Sequence, residues 1–410
     1  MRFLRCFLLA AAVASAADTR DLSRAIFSEI DRVLKELTRI SGLKIRRNVE
    51  YDLISRDKVR EFLEKRIKEV ATPKELRAEE LALKKFGFVP QDFDLAKSTV
   101  ELLTEQAVAF YDFRRKKLYI IDWTQSAERE AALVHELAHA LADQNFNLDR
   151  YLKKANQNDD GAMARMAVME GQASWLMSEY LANKMGKSLK DSPEMVDMMS
   201  RAAESPEGQF PVFDDAPLYL RRTLIFPYTD GMLFQNAVVE RLGQAGFSEL
   251  FKRPPASTQQ ILHADKYFSD AAPSGPAVPA VPRKRDYHSL IGGSIGELDH
   301  AIMLEQHLGK EEAKDVSPHW KGGSYELYER RAGSRVVVAY ASEWDGPEIA
   351  RRFFLLYRKM LEKKWKSFRV NVETPDRIEG TGDDGYFCLV LDDATFTSIE
   401  GLEEPLEGLR

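Results

Sequence analysis

Between residues 20 and 85, apolar side chains recur every three or four positions among Glu, Lys and Arg, as in RAIFSEIDRVLKEL and SRDKVREFLEKRIKEV. That period predicts helices, the second capped by Ser55 or Asp57. The pattern then changes. QAVAFYDFRRKKLYIID places two β-prone runs on either side of Asp112-Phe113-Arg114-Arg115-Lys116 and predicts a hairpin over 106–121. Helical periodicity returns in SAEREAALVHELAHALADQ, NDDGAMARMAVMEGQASWLMSEYLANKMG and PYTDGMLFQNAVVERLGQAG. It stops at AAPSGPAVPAVPRKR, where the prolines at 273, 276, 279 and 282 exclude a helix or a central strand and leave a linker or a long surface loop. Beyond it, GELDHAIMLEQHLG and PEIARRFFLLYRKMLEKKW read as helices, and SYELYERR, SRVVVAYASEW and GYFCLVLDD as strands. The expected class is α+β. A mixed or helical N-terminal region (17–100) precedes a core (101–270), a Pro-rich linker or loop (271–285) and a C-terminal α+β domain (286–410).

At 410 residues the chain exceeds what one hydrophobic core usually serves. Its start, MRFLRCFLLAAAVASAADTR, sets Arg2 and Arg5 ahead of an apolar run and the small triplet Ala14-Ser15-Ala16. This has the form of a secretory signal peptide over 1–16, and the run is too short to span a bilayer. The expected location is therefore secreted or periplasmic, with no integral membrane segment after signal removal. Loss of Arg2 and Arg5 takes the formal charge from −6 to −8, with both signs interspersed, which disfavours nucleic acid as a partner. Cys6 leaves with the signal and Cys388 remains alone, so no internal disulfide is available.

One stretch carries chemistry. In AALVHELAHALADQ (131–144), His135 and His139 lie four apart and project from one helix face, the spacing a tetrahedral ion requires. The surrounding residues are small and apolar, so a buried helix here needs partners for two imidazoles and a carboxylate, and a zinc ion supplies them. Glu136 lies about 100° round the helix from His135 and cannot join the same donor set. It is placed beside the ion as general base, taking a proton from a metal-activated water and passing it to a leaving amine.

A catalytic zinc site has three protein ligands and one open position. A histidine six residues after His139 would complete one zincin pattern, but Asn145 stands there, and Ala142 replaces the glycine that the turn needs. Glu170, in AVMEGQASW on the next helix, is the stronger candidate. Ala164, Ala167, Gly171, Ala173 and Ser174 surround it and allow two helix backbones to come close enough for a short carboxylate to reach the ion. Asp143 competes on helical angle alone, but it lies more than about 10 Å along the axis from His135 at 1.5 Å per residue. A supporting or packing role suits it better. His288, His300, His307 and His319 lack metal-type spacing, and Met163, Met166 and Met169 form a stripe that suits core packing.

HELAHAL followed by a helix bearing Glu-Gly-x-Ala resembles the gluzincins, the thermolysin-like branch of the zinc metallopeptidases, over roughly residues 105–270. The resemblance implies a zincin-like core with His135, His139 and Glu170 as zinc ligands, Glu136 as base, and a peptide or protein as substrate. It also implies a downstream Tyr or His that stabilises the oxyanion, for which Tyr228 in FPYTDG and His263 in STQQILHADKYF are the candidates. Asp143 falls where thermolysin-type helices also carry an aspartate. Two features depart from the pattern: NQNDDG lengthens the gap before the second helix, and Ser174 stands where the family has an aspartate backing a histidine ligand. The alternative is a catalytically weak envelope protein with a structural metal site, closed by a fourth protein ligand, and a partner-binding C-terminal domain.

Overall fold

A computed structural model describes residues 19–106, 109–121, 127–155, 158–201 and 208–405. The expected signal peptide lies outside them. The chain opens with α1 (Thr19–Ser41), followed by β1 (Glu50–Ile54), α2 (Arg56–Val70), α3 (Pro73–Phe86) and α4 (Leu95–Glu105). In α1 the residues Ile30, Val33, Leu34, Leu37 and Ile40 are buried, the one-sided stripe that the helical period prescribes. Ser55 is the residue before α2 but makes no side-chain cap, whereas Thr72 and Glu75 form a reciprocal capping box at α3.

The hairpin follows as β2 (Ala109–Asp112) and β3 (Lys117–Ile121), turning through Lys116 at a φ of 59°. β1 adds to β3 in parallel, giving a three-stranded sheet of order β1-β3-β2 that leaves β2 at its edge. Next come α5 (Ala127–Phe146), the short α6 (Leu148–Lys153) and α7 (Asp159–Lys184). α8 (Pro193–Arg201), α9 (Pro211–Asp214) and α10 (Leu218–Leu242) complete the run of site-bearing helices. The last begins nine residues ahead of the predicted PYTDG start and carries Pro227 inside it. Proline in a helix lacks the N–H for the bond to the preceding turn, and here the helix runs on through it.

α7 and α10 pack more extensively than any other helix pair among the described residues. The cause is in the sequence. A Cβ on Gly171 would overlap the Gly231 carbonyl, and a Cβ on Gly231 would overlap the Ala167 carbonyl, so only glycine lets the two backbones meet there.

Short helices α11 (Gly246–Lys252), α12 (Thr258–Leu262) and α13 (Ala264–Phe268) lead to the Pro-rich run. This run is not a spacer between two cores. Ser274 N–H donates to Lys321 O at 2.8 Å, Val281 is buried, and the segment lies along the C-terminal sheet. That sheet is antiparallel, of order β4-β5-β6-β10-β9-β8-β7, from β4 (Tyr287–Ser294), β5 (Trp320–Arg330), β6 (Val336–Trp344), β7 (Phe368–Glu373), β8 (Arg377–Gly382), β9 (Gly385–Asp392) and β10 (Thr395–Leu402). α14 (Glu297–Leu308), α15 (Lys310–Val316) and α16 (Pro347–Lys364) accompany it.

The class is mixed α and β with a C-terminal antiparallel sheet. One apolar cluster runs from Val59 and Phe86 through Ala167 and Phe226 to Leu298, Ile302, Tyr340 and Phe396, so the expected boundary at 271–285 crosses a continuous interior. A second cluster joins α1, β3, α5, α7 and α10 through Leu37, Leu118, Leu137, Trp175 and Met232. Among the described residues no helix is long and apolar enough to cross a membrane.

Candidate metal centre

α5 is apolar around its middle. Leu133, Val134, Leu137, Ala138, Ala140 and Leu141 are all buried, which encloses the helix on every side and takes His135, Glu136 and His139 in with it. Glu170 reaches the same point from the middle of α7 and has no solvent exposure. Three donor atoms then form a triangle. His135 Nε2 and His139 Nε2 are 3.1 Å apart, and Glu170 Oε2 lies 3.2 Å from the first and 3.3 Å from the second. A tetrahedron with metal–ligand bonds of 2.0–2.1 Å has edges of about 3.3 Å, so the triangle has the size of one tetrahedral face.

Glu136 stands next to that face. One of its oxygens lies within 4.8 Å of donor nitrogens on both histidines, and Oε2 accepts the Tyr111 N–H at 2.7 Å. Two triplets therefore share the histidines, one completed by Glu136 and one by Glu170. Every edge of the Glu170 triplet is 3.1–3.3 Å, the size of a tetrahedral face, which makes it the better donor set.

The charges of the site are coupled. Burial drives the Glu136 carboxyl upward, and the neighbouring imidazoles of His139 and His135 only partly offset it. For Glu170 burial again pushes up, but the two imidazoles, His139 foremost, outweigh it and the net direction is down. His139 moves the other way: burial would lower it, and the Glu170 carboxylate carries it above its ordinary value. Each group thus favours the charged form of the other, and a divalent ion bound there would take the place of the imidazole's proton opposite Glu170. Two polar atoms remain unsatisfied, because His139 Nδ1 and Glu170 Oε1 are buried without a hydrogen-bond partner among the described residues. Groups of this kind are costly unless something else binds to them.

Tyr228 comes from α10, three residues before the Gly231 contact, and its ring stacks on His135 at 5.8 Å between centroids. Burial first, then the carboxylates of Glu170 and Glu136, hold its phenol far above the ordinary value, so it is a neutral donor. The close approach of α7 and α10 is thus what sets Glu170 and Tyr228 on one site.

The other oxyanion candidate lies elsewhere. His263, between α12 and α13, has Nε2 2.8 Å from Glu297 Oε1 at the start of α14, and no described contact brings it to His135 or His139. Asp143 also has other partners: its carboxylate takes Tyr111 Oη at 3.0 Å, Lys116 Nζ at 2.7 Å, Arg47 Nη2 at 3.2 Å and Leu148 N–H at 3.0 Å. Ser174 is buried. Tyr111 escaped the sequence reading. Its signal was present, since it lies in the β-prone run just ahead of the two-histidine helix, but nothing in a single strand shows which of its polar groups will turn toward a helix.

Residues 289–409 match a family model described as a domain of unknown function (DUF8575). The matched stretch is the C-terminal sheet with α14 to α16, and every donor of the triangle precedes it. No curated protein and no solved structure matches the chain.

Proposed function

We propose that the chain is a zinc-dependent metallopeptidase with a zincin-like core of the gluzincin type, exported and acting on a peptide or protein. The observation that carries the reading is the triangle of His135 Nε2, His139 Nε2 and Glu170 Oε2, with edges of 3.1–3.3 Å in a buried setting, beside a carboxylate that is not part of it. The donor set fits zinc in its chemistry, two imidazoles and one carboxylate. Zinc held there supplies Lewis-acid polarisation of the scissile carbonyl and a water acidic enough to be deprotonated near neutrality.

The chain's own residues do the rest. Glu136, with one oxygen fixed by the Tyr111 N–H, has the other available to take the proton from that water and return it to the leaving amine. Tyr228, neutral and stacked on His135, donates toward the oxygen on which charge develops.

Burial favours one rival, a structural site in which Glu136 closes the coordination as a fourth ligand. A single variant separates the two. Glu136→Gln keeps shape but cannot accept the proton, and in an active peptidase it retains zinc while hydrolysis of a peptide library falls by about 10²–10⁴-fold. Activity within tenfold of the parent removes Glu136 as the base. Zinc affinity that falls with the substitution makes Glu136 a ligand and the site structural.

A further inference from the structure

We infer that Tyr111 is a positioning residue that fixes the base Glu136 by clamping α5 at two points two turns apart. This rests on the peptidase reading above. Glu136 and Asp143 are seven residues apart on α5, so they share a face about 10 Å apart along the helix. Tyr111 reaches both from β2: its backbone N–H donates to Glu136 Oε2 at 2.7 Å and its phenol to Asp143 Oδ2 at 3.0 Å.

Strand geometry explains why one residue can do this. Along an antiparallel strand, backbone groups bond alternately toward the partner and away from it. β2 is an edge strand, so an outward N–H has no strand to meet, and that of Tyr111 meets the helix.

The far end of the clamp is itself anchored. Asp143 has a fully buried side chain, yet Lys116 from the hairpin turn, Arg47 and the Leu148 N–H all bond it. Burial, then the Asp143 charge, keeps the Tyr111 phenol protonated and so a donor. β2 is held at its next residue too, where Asp112 pairs with Arg66 at 2.5 Å and accepts the Arg114 and Arg115 N–H groups. With the phenol end released, β2 and its Tyr111 N–H are free to shift along α5 and the Glu136 carboxylate with them, and misplacement of a catalytic group by about 1 Å costs on the order of 10²-fold in rate.

The test is Tyr111→Phe, which deletes the phenol, keeps the ring and leaves the backbone in place. On the zinc-loaded full chain, kcat falls at least tenfold, KM stays within twofold and zinc content is unchanged. Deuterium uptake of the peptide spanning 109–112 rises, a readout that needs no activity. Asp143→Asn, which leaves an acceptor for the phenol, shows a smaller fall in kcat than Tyr111→Phe. Unchanged kcat in Tyr111→Phe with unchanged uptake overturns the clamp. An equal fall in kcat/KM carried by KM alone also overturns it and makes Tyr111 a substrate contact. If the parent itself hydrolyses nothing while uptake still rises in Tyr111→Phe, the clamp stands and the peptidase reading fails.

Discussion

Glu170 and Glu400 are both carboxylates with no solvent exposure, and the protein treats them in opposite ways. Glu400, on β10, has both oxygens occupied: Tyr357 Oη at 2.5 Å and Ser398 Oγ at 2.9 Å on one, Lys364 Nζ at 2.9 Å on the other. Its charge is closed within the C-terminal sheet and α16. Glu170 faces two imidazoles, whose charge depends on protonation, and its Oε1 and the His139 Nδ1 lack partners among the described residues. A buried charge is costly in either setting, and one is met by a fixed lysine while the other is met by imidazoles that carry charge only when protonated. This difference is the physical ground for the proposal that one cluster is architecture and the other a cation site.

The largest effect expected tests the closed cluster. Lys364→Met removes the cation from Glu400 and leaves a buried carboxylate facing two hydroxyls, which costs about 3–5 kcal/mol of stability in urea unfolding, with or without zinc. A loss below about 1 kcal/mol would show that Glu400 is not held as an ion pair, and the contrast with Glu170 would lapse.

The open cluster responds to metal. Zinc at about 100 times its Kd raises unfolding stability by about 2.7 kcal/mol, because it binds the folded chain alone, and chelation removes that gain. In Glu170→Gln the gain disappears, while the chelated variant loses less than Lys364→Met does, since a neutral amide needs no counter-charge. If chelation leaves the parent unchanged, or if zinc stabilises Glu170→Gln as strongly as the parent, then Glu170 is not a ligand.

The same contrast explains what could be read before any fold was known. His135, Glu136 and His139 were legible because all three belong to one helix, where spacing alone sets the angle between side chains. Glu170 was legible because the small residues around it announce a close helix crossing, although the partner helix proved to be α10 at Gly231. The hairpin turn at 112–116 and the helices Glu297–Leu308 and Pro347–Lys364 lie where their periods put them. Strand β1 went unread because it is a largely exposed strand that adds in parallel to β3, and such pairing leaves no alternation in its own sequence. Strands β4 and β8 contain Gly292, Gly293, Gly380 and Gly382, which break the β-prone pattern. Tyr228 and His263 were equal in sequence, and only the α7–α10 contact brings one of them to His135.

That contact is the third test. Gly231→Ala forces a methyl against the Ala167 carbonyl and parts α7 from α10, at a cost of about 2 kcal/mol. The shift falls on the open cluster, since Glu170 and Tyr228 ride on these two helices, so zinc affinity drops together with stability. Loss of stability with zinc affinity intact would mean that the crossing packs the core without setting the donors.

The smallest effect belongs to the C-terminal half and to pH. His300 is fully buried on α14; its Nδ1–H donates to Gly296 O at 2.6 Å, which leaves Nε2 to accept from Tyr340 Oη at 2.5 Å. Burial pushes the imidazole down to about 4, against only a small pull upward from the Gly296 carbonyl. The sign follows from which state holds the proton. Between about pH 6.5 and 4 the unfolded chain binds a proton at this residue and the folded chain does not, so acidification favours unfolding, by about 1 kcal/mol over the unit from pH 6.5 to 5.5. His307, pushed to about 4 by burial and then by Lys364, acts in the same direction and window. Asp160 opposes them: burial raises its carboxyl to about 7, so there the folded chain holds the proton and acid stabilises. His300→Gln isolates one contribution. Its stability deficit relative to the parent should shrink as pH falls from 7 to 5 in paired urea titrations, because the parent alone suffers the histidine's acid penalty. A deficit constant across that range would mean that His300 titrates alike in both states, and that the buried imidazole is not held neutral by its surroundings.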